Sequence, residues 1–215
     1  MNEFRTCALY SGIFVTGIEF FQPSGKLSVM SAKDDLKTML LEKSVRTGDF
    51  TLASGQKSDL YVDCRVTALD NRGSTWIGQC GWDLVREKIE AEGLEVDAIG
   101  GMTMGADPIS LVVGMASADH EKALQVFTVR KEPKGHGRGK QIEGNFKEGD
   151  KVVVVDDVIT TGGSTLKAIE AIRAAGGEVV FCLVLVDREE GGRPAIESDG
   201  VPVVSIFTRS ELLDS

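Results

Sequence analysis

Four consecutive valines, Val152 to Val155, run directly into two carboxylates, Asp156 and Asp157. A strand with one wet face alternates apolar and polar residues. An unbroken β-branched run is what a strand shows when both faces are covered, and that occurs chiefly in parallel sheets sandwiched between helices. The run therefore points to an α/β chain with a central, mainly parallel sheet flanked by helices. After the carboxylates come Val158 and Ile159, then Thr160, Thr161, Gly162, Gly163, Ser164 and Thr165, opening into the helical pattern Leu166-Lys167-Ala168-Ile169-Glu170-Ala171-Ile172. We expect the strand to span the valines and a helix to run over Ser164–Ala175.

A strand end, a small polar loop and a helix start form an anion site. Gly162 and Gly163 let the backbone approach a ligand closely. Unpaired N–H groups and the positive end of the helix dipole favour a phosphate there. The hydroxyls of Thr160, Thr161, Ser164 and Thr165 can add donors. Carboxylates placed just before such a cradle would repel the phosphate itself, so they suit vicinal sugar hydroxyls or a divalent cation. Sugar phosphate is the ligand that fits both halves.

The stretch Lys151–Thr165 resembles the phosphoribosyl-diphosphate (PRPP) signature of type I phosphoribosyltransferases. The resemblance implies that family's fold, with a small amino-terminal hood over the base site. It assigns ribose to Asp156 and Asp157, the latter counted among the catalytic residues. It assigns the rest of the PRPP contact to Val158, Ile159, Thr160, Thr161, Gly162, Gly163 and Ser164. The motif is specific for PRPP and says little about the base.

Two further stretches narrow the base. Arg46–Arg65, which contains FTLASGQKSDLYVD (Phe50–Asp63), reads as a hairpin of two short strands turning at Ser54-Gly55-Gln56-Lys57. It is similar to the hood segment of orotate phosphoribosyltransferases, which implies that Tyr61 and Val62 contact orotate. Five cations stand between Arg130 and Lys140 among hinging glycines, with His136 between two of them, in a chain whose formal charge is −9. Pattern alone allows a solvated loop, but a basic glycine-hinged segment leaving the strand Leu124–Val129 also suits a lid over a polyanion. It resembles the family's catalytic loop. By that resemblance Arg130, Lys131, Lys134 and His136 engage diphosphate, some across a homodimer interface into the neighbour's site. Lys131, Lys134 and His136 join Asp157 as catalytic candidates.

Asp187-Arg188 ends the apolar run Val179–Val186. An arginine at a strand end can receive a carboxylate bidentately, and the family resemblance assigns Arg188, with Thr160, to orotate. Gly100–Asp107 is a glycine-rich turn before an apolar helix that begins at Pro108. In the family the equivalent loop meets diphosphate, and many members carry a lysine where this chain has Gly105.

The remaining chain sets bounds. The acidic balance argues against nucleic acid or anionic membrane as a partner, and no apolar run reaches the length of a membrane span. Cys7, Cys64, Cys80 and Cys182 lack metal-ligand spacing and read as reduced thiols of a cytoplasmic protein. Residues 1–29 are expected to be an extension outside the fold, or to precede the true start. Residues 30–215 are expected to form one domain, with a hood over roughly 30–70 and a core over roughly 71–207. Ser31 is expected to cap a first helix carrying Asp34 and Asp35 in its first turn, Asn71–Glu92 to be helical, and Arg209–Ser215 to be a polar tail. The resemblance implies PRPP and orotate as substrates and Mg²⁺ as cofactor, carried on PRPP rather than by a direct protein ligand. A transferase for another base is the nearest rival. A PRPP-sensing regulator is the rival from outside the enzymes, and residues 1–45 lack the basic cluster it would need.

Overall fold

The computed structural model describes residues 29–51, 57–132 and 141–214. The expectations for residues 1–28, for the turn preceding Lys57, and for Cys7, Lys134 and His136 lie outside the described residues.

Helix α1 (Val29–Met39) passes through a π turn (Leu40–Ser44) into the antiparallel pair β1 (Val45–Thr51) and β2 (Lys57–Val62). Leu36 and Leu40, one turn apart on the same face, are fully buried. The helix starts at Val29, so Ser31 lies inside it rather than capping it, and its first turn holds no acidic residue. A short helix α2 (Arg65–Ala68) precedes the long α3 (Asn71–Glu92). Asp70 caps α3 by accepting from the N–H groups of Arg72 and Gly73, at 2.9 and 3.1 Å.

The chain continues through β3 (Ala98–Met102), α4 (Ala106–Ala116), β4 (Gln125–Val129), β5 (Ile142–Gly144), β6 (Lys151–Ile159) and α5 (Gly163–Ala174). It closes with β7 (Glu178–Asp187), α6 (Gly192–Ser198), β8 (Val203–Thr208) and α7 (Arg209–Leu213). The expected polar tail is in fact this last helix. Thr208 and Glu211 cap it reciprocally, and Leu212 turns into the core. Cys64, Cys80 and Cys182 are buried free thiols. Among the described residues no helix is long and apolar enough to cross a membrane.

Six strands form one sheet in the order β5-β4-β3-β6-β7-β8, parallel except at the β5 edge. The four valines of β6 divide by parity. Val153 and Val155 join the cluster containing Ile77, Ile109 and Val113 of α3 and α4, while Val152 and Val154 join that of Ala168, Ile169 and Ile172 of α5. Each buried valine contributes about 2 kcal/mol, and neither sheet face is left wet.

The order of strands turns between β3 and β6: β3 leads outward to β4, and β6 leads the other way to β7. The β3–β6 ladder stops at Gly101↔Val155, whereas β6 stays paired with β7 as far as Ile159↔Asp187. Asp156 to Ile159 therefore belong to the strand, not to a loop after it, and have a partner on one flank only. The open flank is a crevice at the carboxyl ends of parallel strands, where α/β sheets bind ligands.

Candidate active site

A cleft of about 390 Å³ occupies this crevice. Its floor is the end of β6, Asp156 to Val158. One wall is Met102–Gly105 after β3, and the opposite end holds Thr160 and Ser164 before α5. Tyr61, Val62, Asp63 and Arg65 come over it from the hood, and Lys131 and Arg188 complete it.

The carboxylate pair is held from below. Asp156 is 7% exposed. Its Oδ2 accepts from the Thr165 hydroxyl at 2.5 Å, and its Oδ1 accepts from the Asp157 N–H at 3.0 Å. Thr165, counted in the sequence among the phosphate donors, is buried and spends its hydroxyl on Asp156 instead. Burial pushes the Asp156 carboxyl above the usual carboxylate range; the Thr165 bond opposes that rise and the Asp157 charge adds to it. Burial also raises Asp157, against the pull of its neighbouring hydrogen bonds and of Arg65.

The phosphate end is set by backbone geometry. Gly162 sits in the left-handed region at φ 79° and lets the chain turn from β6 into α5. A Cβ there would also press on the Gly192 carbonyl and on Ile196. Of the candidate phosphate residues, Thr160 and Ser164 line the cleft, while Thr161 and Gly163 are exposed beside it. Ile159 is buried in the core.

The wall after β3 is tied down by Asp107, which accepts from the Thr103 hydroxyl at 2.7 Å and from the Thr128 hydroxyl of β4. The Thr103–Met104 peptide bond is cis. Gly105 has ordinary helical angles, φ −67° and ψ −43°. Its lack of a side chain answers a spatial demand: a Cβ would overlap Oδ1 and Cγ of Asp157 and lie 2.9 Å from Oδ2.

The basic segment leaves from a stem that sequence periodicity did not reveal. Arg130 N–H donates to the Gln141 carbonyl at 2.8 Å, the Gln141 side chain donates back to the Arg130 carbonyl at 3.0 Å, and β5 follows. Arg130 stands in this stem, 3.7 Å from Glu143, and it is Lys131 that reaches the cleft.

Arg188 is 3% exposed and donates to Glu190 Oε1 at 2.6 Å. The turn presenting it is fixed by Asp187, which accepts from Arg193 Nε at 2.7 Å and from the Glu189 N–H at 2.9 Å. On the hood, Tyr61 stacks against Phe50 at 5.7 Å and is 43% exposed at the mouth. Asp63 and Arg65 had no role in the sequence reading, whereas Met102, Thr103 and Met104 belong to the glycine-rich turn whose family equivalent meets diphosphate. The acid–base spacing of Asp63 and Arg65 after a strand was their one visible signal. Arg65 Nε and Nη2 each donate at 2.8 Å to one Asp63 oxygen.

A carboxylate pair between a helix-start anion cradle and a glycine-walled turn, under a hairpin hood, defines a type I phosphoribosyltransferase. The phosphoribosyl transferase domain model matches residues 112–205. The orotate phosphoribosyltransferase of Aquifex aeolicus is 42% identical over 188 residues, covering 86% of this chain and all of that protein. Among solved structures, Mycobacterium tuberculosis orotate phosphoribosyltransferase in complex with Fe(III) dicitrate is 36% identical with a TM-score of 0.70, covering 85% of this chain and 99% of that one. The same enzyme in complex with PRPP gives 32% and a TM-score of 0.67, over 84% and 98%. The chain belongs to the orotate phosphoribosyltransferase family.

Proposed function

We propose that this chain transfers the 5-phosphoribosyl group from PRPP to orotate, giving orotidine 5′-monophosphate and diphosphate, a step of pyrimidine biosynthesis. The observation that carries the reading is the convergence in one cleft of the Asp156–Asp157 pair, the Thr160–Ser164 cradle and the buried Arg188. It is supported by 42% identity to an orotate phosphoribosyltransferase over that protein's whole length.

In this reading Asp156 and Asp157 accept hydrogen bonds from the ribose hydroxyls, and the segment from Val158 to Ser164 holds the 5′-phosphate. Arg188 takes the orotate carboxylate with Thr160, while Tyr61 and Val62 cover the ring. As the bond from C1 to diphosphate breaks, C1 gains oxocarbenium character and the leaving group gains charge. The chain's task is alignment of the base nitrogen and stabilisation of that charge, not covalent attack. Lys131 and Lys134 supply cationic donors to diphosphate and His136 a further donor, with Arg130 anchoring their loop. Mg²⁺ carried on PRPP neutralises phosphate charge, and the two hard carboxylates at the cleft floor are compatible donors for such an ion.

A homodimer with shared sites in the cytoplasm belongs to the same proposal. Leu69, just after α2, and Leu111 and Met115 of α4 are exposed large apolar side chains on elements that contact each other, surface that supports pairing with a second copy. Residues 30–215 are proposed as the catalytic domain. The Aquifex aeolicus protein is matched in full by 86% of this chain.

The test is loss of the orotate absorbance band on mixing the protein with orotate, PRPP and Mg²⁺. Loss that requires PRPP supports the reading; an unchanged spectrum with folded protein contradicts it.

A further inference from the structure

The cleft places its cations unevenly. PRPP carries phosphate groups at both ends of the ribose. If its 5′-phosphate sits at the start of α5, its diphosphate projects past Asp156 and Asp157 toward the Met102–Gly105 wall. That end is narrow at the backbone, because Asp157 fills the space a side chain at position 105 would need. Gly105 can therefore offer backbone donors only, and a charged partner for diphosphate must arrive from another element. Among the described residues lining the cleft, the cations are Arg65, Lys131 and Arg188. Arg188 is engaged by Glu190 at the base end. Lys131 is exposed at the root of the basic loop.

Arg65 differs from both in being prepositioned. It opens α2 at the inner edge of the hood. Asp63 grips Nε and Nη2 with one oxygen each, at 2.8 Å, in the fork geometry that fixes a guanidinium plane. Asp63 Oδ1 also accepts the Arg65 backbone N–H at 3.2 Å, which locks the pair to the start of the helix. Nη1 has no hydrogen-bond partner among the described residues, and the side chain is half exposed where it lines the cleft. A guanidinium held by one edge with its other edge free is built to receive a second anion.

We propose that Arg65, steered by Asp63, is a diphosphate-binding residue of the transfer reaction, closing the end of the cleft that Gly105 leaves without a side chain. The inference rests on the phosphoribosyl-transfer reading above.

The test compares wild type with Arg65→Gln and Arg65→Lys in the full chain, measuring equilibrium binding of Mg²⁺-diphosphate and of orotidine 5′-monophosphate, which lacks the diphosphate. Expected for Arg65→Gln is a loss of diphosphate affinity of about 10- to 100-fold, the range of a lost charge-assisted hydrogen bond. The monophosphate should bind within about twofold of wild type, and Arg65→Lys should recover part of the loss. Unchanged diphosphate binding, or equal weakening of both ligands, would overturn the proposal. Diphosphate binding is read without turnover, so a wild-type protein that fails to consume orotate but shows this pattern would refute the orotate reading and leave the Arg65 assignment standing.

Discussion

The carboxylate of Asp157 occupies the volume that a side chain at Gly105 would take, locking the floor of the cleft against the wall after β3. The glycine has helical angles open to any residue, so an alanine there meets a steric obstacle without a backbone one. Gly105→Ala is expected to displace Asp157 and raise the KM for PRPP at least about tenfold. Its cost in stability should be about 1–3 kcal/mol, the usual range for overpacking. Steady-state kinetics with thermal denaturation check it; wild-type PRPP kinetics would mean that Asp157 can move aside without consequence.

Asp156 carries a cost that depends on pH. Burial holds its carboxyl above the usual range, so the folded protein keeps a proton that the unfolded chain has already lost. Folded stability from this group is present below the ordinary carboxylate pKa of about 4 and is lost as pH rises through the raised value. Asp156→Asn removes the charge and can still accept one of its two hydrogen bonds. The variant is expected to lose PRPP binding yet to gain Tm relative to wild type as pH rises, by several degrees at about pH 8 and little at about pH 4. Parallel Tm profiles would contradict the burial argument.

Arg188 is buried at the base end of the cleft. Replacing it by alanine leaves an incoming carboxylate without its bidentate partner, worth about 1.5–3 kcal/mol. Arg188→Ala is expected to raise the KM for orotate about 10- to 100-fold and that for PRPP less than about threefold. Equal effects on both substrates would remove Arg188 from base recognition.

Much of this was legible in the chain because it depended on local pattern. Val152–Val155 marked a doubly covered strand, and the Thr160–Thr165 segment marked a helix-start cradle. What escaped were features set by pairing partners. The strand β6 extends through two aspartates, poor strand formers, because β7 continues beside them to Asp187. Thr165 looked like a phosphate donor, and only the fold brings its hydroxyl to Asp156. Arg65 of the hood and Asp157 of β6 line one cleft though they lie far apart in sequence, so no spacing could announce their juxtaposition. The β5 stem is three residues long and half exposed, too short for a periodic signal.

The basic loop makes a separate demand. Lys134→Ala is expected to lower kcat by about 100-fold or more while leaving the far-UV circular dichroism and Tm unchanged, since loss of a cation from the leaving group falls on the transition state. An unaltered kcat would take the loop out of the reaction.

The most direct test sets orotate beside uracil, the same ring without the carboxylate, and measures kcat/KM for each with saturating PRPP and Mg²⁺. The expected result is turnover of orotate at least about a thousandfold more efficient than of uracil, with adenine and hypoxanthine inert, because a base without an anion forgoes the charge-assisted hydrogen bonds that the buried Arg188 offers to a carboxylate. Comparable turnover of uracil, or preference for a purine, would contradict the assignment of this cleft to orotate.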